Sequence, residues 1–500
     1  MPGFCVSRRN FINAMSTLAG GSALSQTIGC KQSATPQTKE GAKKQGGPAD
    51  YTLTIAVTPV ELAPNRIVST TTYNGQFPGP LLRFKEGQQV TIDINNQTDT
   101  PEQLHWHGQF LSTDVDGSDE EGTPFIPAHG SRRITFVPKP SGYRFYHTHV
   151  RAGANLNAGQ YTGLVGPVYI EPKNNAGNYD REVFLTLKEF EPTLSRGGDM
   201  AMDFLYPSTP VTELKDSGES AMNASLAKGT PHGFEVGYGS FTINGKMLGS
   251  GEPIRVKQGE RVLFHFLNGS ATEIRSLALP GHSFNVLAMD GNQIPSPVTV
   301  PGLWLGTAER VSAIVEMNHP GVWILGDMAN DDRQHGMGTV VEYAGKNGKP
   351  QWVAPKPFHW NYAQFGKSEV AVPSPDEVFE MTFAKQNAVD GGFNRWTING
   401  IAFAEDHMHR MFRIKPGKRY RLRMRNASDD IHPVHLHRHS FELTRVAGRP
   451  TSGVIKDVVM VGGYQEMEID FLADNPGLTL FHCHQQLHMD FGFMALFEYL

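Results

Sequence analysis

Cysteine is scarce: three in 500 residues, Cys5, Cys30 and Cys483. Beyond the first few residues one bridge is the most the chain could form, so a disulfide framework is excluded. Long apolar runs are missing too. No stretch of about eighteen apolar residues occurs, and a membrane-spanning helix needs roughly that many. Neither sign of charge prevails. The 45 Lys and Arg stand against 50 Asp and Glu, a formal net charge of −5, so the broad basic surface that nucleic acid demands is lacking. Glycine and proline are plentiful at 53 and 33, a composition that suits many short strands joined by turns. Five hundred residues exceed one ordinary core and favour about three domains of roughly 150 residues each.

The amino terminus reads as an address. Ser7-Arg8-Arg9-Asn10-Phe11-Ile12 sets paired arginines before a mildly apolar, Ala/Gly/Ser-rich stretch to Gly29. It resembles a twin-arginine export signal, so residues 1–30 are set apart from the fold and the chain is expected in the periplasm or at the cell surface. Cys30, after Thr27-Ile28-Gly29, resembles a lipoprotein acylation site without its usual leucine and is a candidate lipid anchor. Residues 31–50 carry hardly any apolar side chain and read as a flexible linker.

Beyond the linker one pattern recurs three times, at Leu81–Ile92, Pro253–Phe264 and Met411–Leu422. Apolar and polar residues alternate on both sides of a glycine two places after a lysine, which reads as two half-buried antiparallel strands with the glycine turn between them. A second recurrence, from Gly142 to His147, from Gly321 to Leu325 and from Gly477 to His482, closes each copy. The spacing predicts an all-β chain of three homologous Greek-key β-sandwiches, at residues 51–177, 178–345 and 346–500. Residues 190–235 carry few strand signals and read as an insertion of the second unit.

Ten of the twenty histidines fall in four short clusters of the first and third units: His105-Trp106-His107-Gly108, His147-Thr148-His149, His432-Pro433-Val434-His435-Leu436-His437, and His482-Cys483-His484-Gln485-Gln486-Leu487-His488. Residues two apart on a strand share a face, so each His-x-His pair can offer two imidazoles to one site. Eight such histidines exceed the four ligands that saturate a structural zinc and point to a polynuclear late-transition-metal centre. Cys483, between His482 and His484, must face the other way on extended backbone. With His488 and His432 it supplies the His₂Cys set of a blue-copper electron-transfer centre, joined to the polynuclear one by a few covalent bonds.

These four motifs, in this order and in the first and last of three units, resemble the multicopper oxidase family, and most closely its laccase-like members, over residues 50 to 500. The resemblance implies cupredoxin-like domains and four coppers. Type 1 copper would sit on His432, Cys483 and His488, type 2 on His105 and His435, and the type 3 pair on His107, His147, His149, His437, His482 and His484. It further implies single-electron oxidation of a small-molecule reductant at type 1 copper and reduction of dioxygen to water at the trinuclear cluster. Asp116 occupies the place of an acid that relatives put beside that cluster, where a carboxylate can serve proton transfer. Phe493 stands where many relatives carry an axial methionine, with Met494 as the alternative one residue on. Asp490 lies one place beyond a position at which relatives often carry a second acid.

The second unit has Gly326-Asp327-Met328 where the others have His-x-His, so it keeps the fold without the ligands. His282 and His439 share a His-Ser-Phe context in the second and third units and read as hydrogen-bonded core residues. Phenols or other small aromatics are the expected reductants. The alternative is a cuprous-ion oxidase, which would draw on thioethers, but the 18 methionines are scattered. A non-catalytic protein of the same fold would have lost ligands, and every ligand is present.

Overall fold

In the computed structural model, which describes residues 47–173, 178–195, 233–367, 372–404 and 411–500, each copy of the repeated pattern forms two strands. They are Leu82–Lys85 and Val90–Asn96, Ile254–Val256 and Arg261–Asn268, and Met411–Ile414 and Arg419–Asn426. The two members of a pair do not form a hairpin, which corrects the expectation from sequence. The first member joins one sheet, parallel to the last strand of its unit (Leu82 beside Val168, Ile254 beside Val341, Met411 beside Leu496), and the second joins the facing sheet. Alternation gives a strand one apolar face, and both sheets of a sandwich turn such a face to the shared core. Periodicity therefore cannot tell a hairpin from a crossing between sheets. Gly87, Gly259 and Gly417 make the crossing at φ of +77°, +81° and +77°, where an L side chain is strained.

The strands fall into three sets, each a pair of sheets. Among the described residues, four strands face four in the first unit, six face five in the second, and seven face five in the third. Leu53, Ile92, Trp106 and Val168 fill the first core. Tyr143, Phe145, Leu267 and Val458 join the units through a buried cluster of their own. The flanks of the expected 190–235 insertion are strand: Arg181–Ser195 continues to the edge of the described residues and pairs antiparallel with Glu235–Ile243. Main-chain pairing carries that strand through Glu191 and Pro192, where the side chains give little signal. The expected export signal, Cys30, most of the linker and the interior of the insertion lie outside the described residues. Among the described residues no helix is long and apolar enough to cross a membrane.

Candidate metal centre

The short strand His105–His107 lies antiparallel to Gly142–His147, which sets His105 opposite His147. In the third unit His432–Leu436 pairs with Thr479–Cys483, which sets His435 opposite His482 and Val434 opposite Cys483. Alternation then does the sorting. Trp106, between its two histidines, turns into the first core against Phe136 at 5.2 Å, and Cys483 turns away from His482 and His484. All twelve residues expected at the sites are buried, and eleven fall into two histidine clusters with Asp116 beside one of them.

The smaller cluster joins His432, His488 and Cys483. The two Nδ1 atoms are 3.1 Å apart, and the Cys483 Sγ is 3.7 Å from one and 3.4 Å from the other. Ser428 settles the His432 tautomer. Its hydroxyl donates to Asn426 Oδ1 at 2.8 Å, so it accepts from His432 Nε2 at 3.0 Å and leaves Nδ1 bare. Burial pushes the Cys483 thiol well above its ordinary value, so a soft cation is what would hold a thiolate there. Phe493 places its ring 4.6 Å from that of His432. Met494 lies instead with Leu480, Met489 and Leu496. Trp396 stacks on His488 with ring centroids 4.1 Å apart and donates its Nε1 proton to Asp430 Oδ2 at 2.8 Å.

The larger cluster joins eight imidazoles. His105 Nδ1 donates to the Asp116 carbonyl at 2.9 Å, His147 Nδ1 to the Thr148 carbonyl at 2.7 Å, and His435 Nδ1 to the Asp457 carbonyl at 2.7 Å. His482 Nδ1 donates to the Cys483 carbonyl at 2.9 Å, His437 Nδ1 to Asp116 Oδ2 at 3.0 Å, and His107 Nε2 to Asp457 Oδ1 at 3.1 Å. Each of these acceptors lacks a proton to give, so in a neutral ring the opposite nitrogen carries a lone pair. Those nitrogens turn toward one another. Nε2 of His105, His147 and His435 and Nδ1 of His107 are buried without a partner, and Nε2 of His437 and His482 stand 3.1 Å apart. Burial holds His107, His147, His435, His437, His482 and His484 well below the ordinary imidazole value, hence neutral. Converging lone pairs that no protein donor meets fit a site that holds cations.

Asp116 ends the helix Thr113–Asp116, and Gly117 turns the chain at φ +106°. A Cβ on Gly117 would lie 1.9 Å from the Leu104 carbonyl oxygen, so glycine lets the turn rest on the strand that carries His105. Burial would raise the Asp116 carboxyl, but attraction to His105 and hydrogen bonding from it hold it below its ordinary value. Burial and the Asp116 charge push Glu121, which bonds Asp116 and the Leu480 amide, well above. Sequence reading missed Glu121, as it missed Asp457, Ser428 and Trp396; no spacing signal singles any of them out. Asp490, one place beyond the position of the relatives' second acid, links two segments. Its Oδ2 accepts from the amides of Ala152 and Gly153 at 3.0 and 2.7 Å, which ties the loop after His149 to the helix carrying His488.

His439 Nε2 and His282 Nε2 bond Tyr499 and Tyr343 at 2.7 and 2.5 Å, matching core contacts in two units. The second unit repeats the ligand register with other residues. Leu277 pairs with Asp327 and Ala278 with Gly326, as Val434 pairs with Cys483 and His435 with His482. Asp327 thus stands at the place of Cys483, and the fully buried Arg275 at that of His432. A guanidinium bound to Asp332 at 2.6 Å supplies the local cation there.

Sequence profiles described as multicopper oxidase match residues 373–500, 55–175 and 211–346. The chain is 27% identical over 495 residues to the multicopper oxidase MmcO of Mycobacterium tuberculosis, covering 97% of this chain and 92% of that one. It is 26% identical to laccase-2 of Fomitopsis schrenkii, covering 90% of each. Its fold matches the crystal structure of Fet3p, titled a multicopper oxidase that functions in iron import, with a TM-score of 0.72 at 19% identity and 90% of each chain covered. A laccase from Botrytis aclada matches with a TM-score of 0.71 at 19% identity, over 89% of this chain and 87% of that one. Three cupredoxin-like units, two convergent histidine clusters and three matching profiles place this chain in the multicopper oxidase family, oxidoreductases that carry four coppers and use dioxygen as acceptor.

Proposed function

We propose that the chain is a laccase-like oxidase that takes single electrons from phenolic or other small aromatic reductants beside His488 and reduces dioxygen to water among the eight clustered histidines. Bound copper would supply one-electron redox chemistry at both places. The observation that carries this reading is the meeting of the Nδ1 atoms of His432 and His488 with the thiol of Cys483, whose sequence neighbours His482 and His484 turn their imidazoles to the larger cluster. His432, Cys483 and His488 would hold type 1 copper. The grouping of ligand atoms supports the rest: His107, His147 and His484 form one trio, His149, His437 and His482 another, and His105 with His435 remain for type 2 copper.

The residues divide the work. Ser428 occupies the far nitrogen of His432, so His488 is the imidazole through which an outside reductant reaches the site. The covalent bonds from Cys483 to its neighbours form the route inward. Reduction of one dioxygen to two waters consumes four electrons and four protons. Asp116, with Oδ2 within 3.0 Å of both His105 Nδ1 and His437 Nδ1, is placed to hold and pass protons, with Glu121 behind it. The units run 51–177, 178–345 and 346–500 in this reading. Export follows from Arg8 and Arg9, and Cys30 is a candidate lipid anchor. Oxygen uptake tests the function: four molecules of a one-electron phenol should be oxidised per dioxygen without released hydrogen peroxide, and no turnover of any aromatic reductant would count against it.

A further inference from the structure

One buried aspartate outside the expected site residues bonds two of the clustered imidazoles, one through its carboxylate and one through its carbonyl. Asp457 is fully buried between the strands Ile455–Lys456 and Val458–Val461 of the third unit. Its Oδ1 accepts from His107 and its carbonyl from His435, and these two rings, from the first and third units, stack with centroids 3.8 Å apart at 17°. Arg310, from the second unit, grips both carboxylate oxygens, Nη1 to Oδ1 and Nη2 to Oδ2, each at 2.6 Å. Arg144 of the first unit adds a bond of 3.1 Å. A planar fork fixes the plane of a carboxylate as well as its position. Gly108 leaves the room: at its φ of +76° a Cβ would lie 2.5 Å from Asp457 Oδ2 and 2.8 Å from Arg310 Nη2. Lys456 bonds Asp290 and Glu309 at 2.9 and 3.1 Å, so three cations face three carboxylates and the buried charges balance.

We propose that Asp457 is a positioning residue of the trinuclear site and that Arg310 sets it, so that copper retention at His107 and His435 depends on the docking of the second unit. This rests on the copper assignment proposed above. The unit without ligands thereby has a task at the metal centre. Its arginine fixes the carboxylate, the carboxylate fixes the His107 tautomer with Nδ1 bare, and the same residue's carbonyl fixes the His435 tautomer with Nε2 bare. The type 1 ligands all lie in the third unit and touch none of these groups, which makes them an internal reference. Loss of such a partner behind a metal-binding histidine weakens metal retention by about 10- to 100-fold. An ion cluster that merely glued the units together would, when damaged, lower stability and leave the two kinds of copper equally retained.

The copper-loaded chain and its variants Asp457→Asn, Arg310→Lys and Glu309→Gln are titrated with a copper chelator, following total copper and the visible band of Cys483-bound copper separately. Asp457→Asn and Arg310→Lys should release trinuclear copper at about 10-fold lower chelator, with the visible band lost where wild type loses it. Glu309→Gln, in the same ion cluster but away from the histidines, should follow wild type. Retention like wild type in Asp457→Asn, equal loss of both kinds of copper, or the same loss in Glu309→Gln overturns the proposal. Should a single variant fail to fold with a buried charge unpaired, the double variant Arg310→Met/Asp457→Leu removes both charges and is read the same way. A wild-type chain that keeps its visible band yet binds no further copper would fail the copper assignment, not the clamp.

Discussion

The ring of Phe493 lies against that of His432, centroids 4.6 Å apart, while Met494, the next residue, packs on the opposite side with Leu480 and Met489. A phenyl ring has no lone pair to offer, so a copper held by His432, Cys483 and His488 would gain no ligand from Phe493. Three ligands without a thioether would favour the cuprous state and a high potential. Phe493→Met would give the cupric state a weak axial ligand and lower the potential. About 60 mV corresponds to a tenfold change in relative affinity for the two oxidation states, and a fall of that order is expected in a redox titration of the visible band. Hard-to-oxidise phenols should slow while easily oxidised reductants change little.

Asp116→Asn keeps size and polarity but removes the charge. Copper content and reduction of type 1 copper by substrate should be normal, whereas reoxidation by dioxygen should slow by about 100-fold, the lower range for a lost general acid. Stopped-flow reoxidation of the reduced protein measures it. Equal rates in variant and wild type would remove Asp116 from proton transfer.

Glu102, deep in the first unit, accepts from the Gln103 amide at 3.0 Å and is pushed up to about 7 by burial. The folded chain therefore holds this proton at pH 6, where an unfolded glutamate has lost it. Folding binds a proton, so stability is full below about pH 4.5 and is lost as pH rises through about 7, by roughly 3 kcal/mol at most. Glu102→Gln cannot ionise. Denaturation midpoints of both proteins from pH 4 to 8 should show wild type falling relative to the variant as pH rises; parallel profiles would contradict the assignment.

How much of this was legible in the sequence depends on how local the signal was. The shared face of each His-x-His pair and the reversed placement of Cys483 follow from strand period alone, and the missing ligands of the second unit from the internal repeat. The sheet that each repeated strand joins does not, because both sheets ask for the same alternation. Asp457 was invisible for another reason: it lies 350 residues from His107, and only the packing of three units brings Arg310 and Arg144 to it. Glu121 stood in an acidic run, Asp119-Glu120-Glu121, that reads as a solvated turn until Leu480 and Asp116 close over it.

Export should depend on the paired arginines. Changing Arg8 and Arg9 to Lys keeps the charge and loses the address, so the precursor should stay in the cytoplasm on fractionation. Normal export of the double variant would withdraw the twin-arginine reading.

The most direct test is metal analysis with a visible spectrum of the copper-loaded chain beside Cys483→Ser. Wild type should hold four coppers and absorb intensely from thiolate-to-copper charge transfer, whereas Cys483→Ser should lose that band and oxidase activity while keeping about three coppers. A Cys483→Ser protein that stayed blue, or a wild type that bound a single copper, would contradict the assignment of both centres.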